Sequence, residues 1–122
     1  MNLGAFSLSL NVKDIKETYA FYQKLGFTQM GGDIDQLWLI LKNGEAIIGL
    51  FQGMIKQNTL TFNPGWSQEG KQVDPYDDVR KIHELLVKEN IEVDAHIKAE
   101  QGPAYVILKD PDGNPILIDQ HR

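Results

Sequence analysis

Hydrophobic and polar residues alternate strictly along the segment from Phe6 to Asn11. The even-numbered positions are apolar, while the odd-numbered positions carry the small polar side chains of Ser7, Ser9 and Asn11. A period of two residues is typical of a β-strand that is buried on one side only. The segment is therefore predicted to form a strand with one apolar face and one polar face.

Two segments have the start and stop signals of α-helices. The first follows Asp14, whose carboxylate can accept hydrogen bonds from the first turn, and is predicted to end before Gly26. In the second, Asp74 is predicted as the N-cap residue, Pro75 as the first helical residue, and Asn90 as the residue past the end.

Two hairpins are predicted where apolar runs flank a turn. They cover residues 37–52 and 105–120, and the turn of the second is the segment from Asp110 to Pro115. Gly49 interrupts the second strand of the first hairpin. A glycine there indicates a β-bulge, which is the favoured interpretation, or a close approach by a ligand or another backbone.

The chain contains an internal repeat. Residues 7–11 match residues 59–63 in type, and Ile-Leu-Lys occurs at both 40–42 and 107–109. Each half is predicted to read strand, helix, strand, strand, strand, which gives an α+β fold of two tandem modules. The modules cover about 1–53 and 58–122, with an inserted loop at about 64–73. A domain of about 60 residues is only marginally stable by itself, so the two modules are expected to share one domain.

Composition narrows the class of protein. The 122 residues are 42% hydrophobic and 24% charged, as in an ordinary globular domain. No apolar run approaches the roughly 18 residues of a membrane-spanning helix, and the net charge of −5 argues against a nucleic-acid partner. The absence of cysteine excludes disulfides and thiolate metal sites and fits a cytoplasmic location.

Few ionisable residues form a pattern with chemical meaning. His83, His96 and His121 fall on a helix, in a late strand and near the end, so they are not expected to converge on a metal ion. Asp119 lies near the end of an apolar strand. It is a weak candidate for a catalytic base or a cation partner, and the alternative is a carboxylate that ends a strand facing water.

The two tryptophans have different settings. Trp38 opens a hydrophobic strand and is predicted to belong to the core or to a cavity wall. Trp66 lies in the inserted loop among glycine, serine and glutamine, with no periodic reason to be buried. Ligand stacking or a subunit interface would explain it, and local packing of the loop is the alternative.

Three motifs in this order resemble the vicinal oxygen chelate superfamily, the glyoxalase, bleomycin-resistance and extradiol-dioxygenase group. They are Val12-Lys13-Asp14 after the first strand, Phe21-Tyr22 with Leu25-Gly26-Phe27 in and after the first helix, and Lys109-Asp110-Pro111-Asp112-Gly113-Asn114-Pro115-Ile116 near the end. The resemblance implies a mixed sheet that curves around a cup-shaped cavity.

The resemblance also places the family's metal-ligand positions on this chain. They fall on Ser7, Thr59, Leu117 and Gly49, or on Ile48 if the register is shifted by one. A divalent ion needs imidazole or carboxylate donors, which these residues do not supply. The resemblance therefore implies the metal-free, cofactor-free branch of bleomycin resistance proteins, which are homodimers that sequester a cationic aromatic drug.

Two functions of different classes follow. The leading hypothesis is a metal-independent homodimer that binds a small cationic or aromatic molecule, with Glu69 and Asp119 supplying negative potential. The alternative is a lyase or isomerase that acts on a small carbonyl compound and uses Asp119, His96 or a tyrosine for proton transfer. The positions implied to contact the ligand are Ser7, Ser9, Asn11, Trp38, Gly49, Phe51, Thr59, Thr61, Trp66, Tyr105, Leu117 and Asp119.

Overall fold

The computed structural model describes all 122 residues and has the predicted α+β order. The elements of the first repeat are β1 (Ala5–Val12), α1 (Ile15–Lys24), β2 (Thr28–Asp33), a 3-10 turn (Ile34–Gln36), β3 (Trp38–Asn43) and β4 (Ala46–Gln52). Those of the second are β5 (Thr59–Asn63), α2 (Val79–Lys88), β6 (Asp94–His96), β7 (Ala104–Lys109) and β8 (Pro115–Gln120). Neither helix is long and apolar enough to span a membrane.

The chain divides into two compact units. The first unit is Ser7–Thr59, and the second is Met1–Phe6 together with Leu60–Arg122, so β1 begins in the second unit and continues in the first. The division lies close to the predicted boundary between the modules. That the modules form a single domain stays a prediction.

In the first unit the strands are ordered β2-β3-β4-β1, with β1 parallel to β4 and the other neighbours antiparallel. Helix α1 covers one face of this sheet. The buried core between them consists of Ile15, Leu39, Leu41, Ile48 and Leu50, and Leu8, Leu10 and Val12 of β1 pack against it. The predicted apolar face is confirmed for Leu8 and Leu10. The prediction that β1 is buried on that side only is wrong, because Phe6 is 39% exposed and the polar residues Ser7 and Ser9 are buried.

The start and end predicted for α1 are also confirmed. The Asp14 carboxylate accepts hydrogen bonds from the backbone N–H groups of Lys16 and Glu17 at 3.2 and 3.3 Å. Gly26 follows the helix with φ of 92°, and the N–H of Phe27 donates to the carbonyl of Tyr22 at 3.1 Å. A residue without Cβ suits this left-handed conformation.

In the second unit the strands are ordered β5-β8-β7-β6, and α2 covers one face. The buried core consists of Val79, Ile82, Leu86, Ala104, Val106 and Ile118. Ala104, Val106 and Ile118 therefore place one face of β7 and β8 against the helix. The alternate residues of these strands lie on the opposite face.

The predicted start of the second helix is wrong. Asp74 and Pro75 precede α2, which begins at Val79 with Asp78 as the N-cap residue. Asp74 instead accepts a hydrogen bond from the Arg122 guanidinium at 3.0 Å. The end is as predicted, because Asn90 follows the helix with φ of 60°.

The buried side chain of Gln120 fixes where α2 begins. Its Oε1 accepts a hydrogen bond from Val79 N at 2.8 Å, and its Nε2 donates to Asp78 Oδ2 at 3.0 Å and to the carbonyls of Gly102 and Arg122. Burial by itself raises the pKa of Asp78, but the hydrogen bonds from Arg80 and Gln120 and the charge of Arg80 hold it below its ordinary value. The helix start is thus determined by a strand residue distant in sequence.

Replacing this amide should destabilise the fold. Gln120→Ala leaves the Val79 N–H buried and without its partner, so the free energy of unfolding is expected to fall by about 2–4 kcal/mol in urea titrations followed by circular dichroism. Gln23→Ala, at an exposed position of α1, is the control and should change it by less than about 0.5 kcal/mol. Equal effects of the two substitutions would contradict this account.

Candidate functional site

Six of the predicted ligand-contacting residues in the first unit lie on the sheet face opposite α1, where Ser7, Ser9 and Gly49 are buried. Two rows of cross-strand neighbours run across this face. One row is Ser9, Gly49 and Ile40, and the other is Asn11, Phe51 and Trp38. Ser7 precedes them on β1 and is buried. This face therefore combines small polar groups, as the alternation in β1 predicted, with the aromatic rings of Trp38 and Phe51.

The ring of Phe51 occupies the space that a side chain at position 49 would need. A Cβ atom at position 49 would lie 2.6 Å from Phe51 Cε2, closer than packed atoms approach, and 3.3 Å from Ile40 Cδ1, a tight contact. The favoured prediction of a bulge at Gly49 is wrong, since its register with both neighbouring strands is regular. The close approach is real, but it comes from an aromatic side chain of the same strand.

Two of the predicted polar contacts already have partners within the first unit. Asn11 N donates to Asn58 Oδ1 at 2.9 Å, and Asn11 Nδ2 reaches the carbonyl of Lys56 at 3.5 Å. Thr59 Oγ1 donates to the carbonyl of Gln57 at 3.0 Å. These side chains hold the connection after β4 in place, so a ligand would have to compete for them.

The second unit places Thr61, Tyr105, Leu117 and Asp119 on the face opposite α2. Thr61 pairs with Leu117, and Tyr105 pairs with Asp119 directly across β7 and β8. The side of the sheet that Tyr105 faces follows from its buried neighbours, Ala104 and Val106, which point at the helix. The four residues share one surface.

His96, which the sequence analysis named with Asp119 as a candidate for proton transfer, joins this surface. It pairs with Tyr105 across β6 and β7, and the two rings stack with centroids 4.5 Å apart and an angle of 10°. Asp94 Oδ2 lies 3.0 Å from His96 Nε2 and orients the imidazole. Alternation in β6 and β7 could have indicated a common face, but not which residues are opposite each other.

Asp119 has the electrostatic environment of a functional carboxylate. Its side chain is 29% exposed, and Oδ2 lies 3.5 Å from His121 Nε2. Burial raises the pKa of Asp119, and the His121 imidazole acts in the opposite direction. A partly buried carboxyl group with a raised pKa beside an imidazole is a candidate for proton transfer.

Trp66 lies apart from the strand rows, in the loop between β5 and α2. It is half-buried and borders a cavity of about 260 Å³ together with Tyr76 and Asp77. Its Nε1 is buried and has no hydrogen-bond partner. The expectation that it had no reason to be buried is wrong in part, because the loop folds back on itself through the pairing of Trp66 with Gln72.

The residues at the family's metal-ligand positions do not fit a divalent ion. Glycine and leucine at 49 and 117 have no donor atom, and Ser7 and Thr59 supply only neutral hydroxyls. The ring of Phe51 fills the space beside position 49. No group of three or more histidine and acidic side chains in the chain is placed to hold a metal.

A family model for the glyoxalase, bleomycin resistance protein and dioxygenase superfamily matches residues 4–118. The chain belongs to this superfamily. Its two β-α-β-β-β repeats are the repeats of that fold, as the opening and closing motifs predicted. Among curated proteins, none matches.

Solved structures share the fold at low sequence identity. A superfamily member from Vibrio splendidus 12B01 is 14% identical, with 94% of this chain and 97% of that chain covered and a TM-score of 0.66. A protein described as an NAD-dependent benzaldehyde dehydrogenase from Legionella pneumophila is 16% identical, with 96% and 99% covered and a TM-score of 0.69. Homoprotocatechuate 2,3-dioxygenase from Brevibacterium fuscum is 15% identical, with 97% of this chain and 35% of that chain covered and a TM-score of 0.57.

Gly49→Ala should reveal the packing of Phe51. The added methyl group collides with the ring, so the free energy of unfolding is expected to fall by about 1–3 kcal/mol. Gly31→Ala is a matched control, because a Cβ there would lie 3.9 Å from Ile40, at ordinary contact distance. Combining Gly49→Ala with Phe51→Leu should recover part of the loss, and additive losses would contradict the collision.

Asp119→Asn should stabilise the protein at neutral pH. The folded-state pKa of Asp119 is raised, so its contribution to stability is present below the unfolded-state pKa and is lost as the pH rises through the folded-state value. The variant should therefore have the higher melting temperature at pH 7, and the gap should close towards pH 3. Asp112→Asn, in the exposed β7–β8 turn, should change the melting temperature little at either pH.

Proposed function

We propose that this chain is a metal-independent protein that binds a small cationic or aromatic molecule, as a resistance or sequestration protein does. The observation that carries the proposal is the ring of Phe51 lying over Gly49. A metal-dependent relative would need a donor side chain at that position, whereas here an aromatic surface takes its place. The proposed ligand is bound by stacking on aromatic rings and not through a coordinated metal ion.

The chemistry of the uncovered faces supports the proposed ligand class. In the first unit, Phe51 and Trp38 are neighbours across β3 and β4 and offer aromatic surface for stacking. In the second, Tyr105 offers a further ring, and Asp119 across from it offers a partly desolvated negative charge. Desolvation strengthens the attraction between a carboxylate and a bound cation.

The proposed protein acts in the cytoplasm as a homodimer, without cofactor. Sequestration requires affinity and no chemical step, so binding residues suffice. The acidic balance of the chain, −5 at neutral pH, favours cationic ligands over anionic ones.

A thermal-shift panel tests the proposal. Cationic glycopeptides of the bleomycin type and smaller aromatic cations should raise the melting temperature, since a ligand at 100 times its Kd adds roughly 2.7 kcal/mol to the free energy of unfolding. Tyr105→Leu should weaken the interaction about tenfold in calorimetry. Phe21→Leu, at an exposed position of α1, is the matched control and should bind like the wild type.

Other outcomes would overturn the proposal. Stabilisation by zinc, nickel, manganese or iron, but by no organic cation, would mean that metal binding defines the function. Equal losses in Tyr105→Leu and Phe21→Leu would mean that the ligand does not contact the face opposite α2.

An acid–base enzyme is the alternative, favoured by the row of His96, Tyr105 and Asp119. The Asp119 carboxylate would remove a proton from the carbon next to a substrate carbonyl and return it at another position, as an isomerase or lyase requires. Turnover of a small carbonyl compound with a bell-shaped pH profile that Asp119→Asn abolishes would establish this function in place of sequestration.

A further inference from the structure

The side chain of Arg122 is bound by the loop between β5 and α2. Its Nη1 donates to the carbonyls of Gly65 at 3.3 Å and Val73 at 3.0 Å, and its Nη2 donates to Asp74 Oδ1 at 3.0 Å. The guanidinium carbon also lies 4.3 Å from the centroid of the Tyr76 ring, a cation–π contact. Only 19% of the arginine side chain is exposed. One side chain thus holds both the first and the last part of the loop.

The backbone at Gly65 leaves room for this arginine. A Cβ atom at position 65 would lie 2.7 Å from Arg122 Cδ and 3.1 Å from Tyr76 Cδ2, and φ of Gly65 is 84°, which favours glycine. A guanidinium group carries its N–H donors in a fixed plane, so it can bind carbonyls and a carboxylate together. These contacts therefore require an arginine at position 122 and a glycine at position 65.

The arginine contacts the wall of the cavity of about 260 Å³ without lining the cavity itself. Gly65, Val73 and Tyr76 belong to that wall and also contact Arg122. Gln68, another residue of the wall, provides a second attachment, since its amide accepts from the N–H of Phe6 and donates to the carbonyl of Phe6. The shape of the cavity therefore depends on side-chain contacts between segments distant in sequence.

The conformation held by these contacts has one unfavourable feature. Trp66 Nε1 is buried and has no hydrogen-bond partner, although Trp66 lies directly after Gly65 in the held loop. A buried N–H group without a partner is destabilising, and a movement of the loop that lets water reach it would remove this penalty. The contacts of Arg122 oppose such a movement. Two arrangements of the loop therefore compete, and the guanidinium favours the closed one.

We propose that Arg122 is a latch for the loop from Gly65 to Tyr76, and that release of its guanidinium opens the cavity and exposes the Trp66 indole N–H to solvent. The opening is local, because the first turn of α2 is held separately through Gln120. The latch does not depend on the function proposed for the sheet faces.

Hydrogen exchange of the Trp66 indole N–H, followed by ¹H–¹⁵N NMR, tests the latch. The two indole signals are assigned with Trp38→Phe. Arg122→Ala should raise the exchange rate of the Trp66 indole about tenfold or more, whereas the backbone N–H of Ile82, in the buried core, should exchange as in the wild type. Lys109→Ala removes a cation from an exposed position of β7 and should leave both rates unaltered.

Two outcomes would overturn the latch. An unchanged rate at Trp66 would mean that Arg122 does not hold the loop closed, and an equal rise at Trp66 and Ile82 would mean that it stabilises the whole fold. If Arg122→Ala does not fold, Asp74→Asn takes its place, since that side chain is 71% exposed and loses only its charge. It should accelerate exchange at Trp66 alone, and Asp112→Asn, in an exposed turn, is its control.

Discussion

A glutamine amide at the end of the last strand of each repeat connects that strand to the first turn of the helix. In the first unit, Gln52 Oε1 accepts from Ile15 N at 2.9 Å, and in the second, Gln120 Oε1 accepts from Val79 N at 2.8 Å. A free N–H group at a helix start must find a partner, and here the sheet supplies it. The bond holds the first turn of each helix against one face of its sheet.

This interaction explains why one helix start was predictable and the other was not. The signal for α1 is local, because Asp14 caps the turn that follows it in sequence. Asp78 caps α2 in the same local way, accepting from Arg80 N at 2.9 Å, but the sequence before α2 offers Asp74 as a competing cap. The bond from Val79 N to Gln120, 41 residues away, marks Asp78 as the cap that forms. Asp74 carries the same local signal but is bound to Arg122 in the folded chain. Local sequence signals predict that a helix is present, whereas tertiary hydrogen bonds determine the residue at which it begins.

In the candidate site, too, the local pattern predicted some features, and others depend on the register between strands. Alternation correctly predicted which residues of β1 share the uncovered face. It could not predict that the ring of Phe51 covers Gly49 or that His96 stacks on Tyr105, because these contacts depend on rotamer and on strand register. A shift of one residue in register would have turned Tyr105 towards the helix.

Because the chain is a repeat, the row of Phe51 can be compared with the row of Asp119 position by position. Phe51 and Asp119 occupy corresponding positions, each directly before the glutamine that binds the helix start, and their cross-strand neighbours are Trp38 and Tyr105. The same frame therefore presents a pair of aromatic rings in one unit, and in the other a ring beside a carboxylate whose pKa burial raises. Both rows lie on the faces opposite the helices. The two repeats therefore have the same frame but different chemistry in the row next to the glutamine.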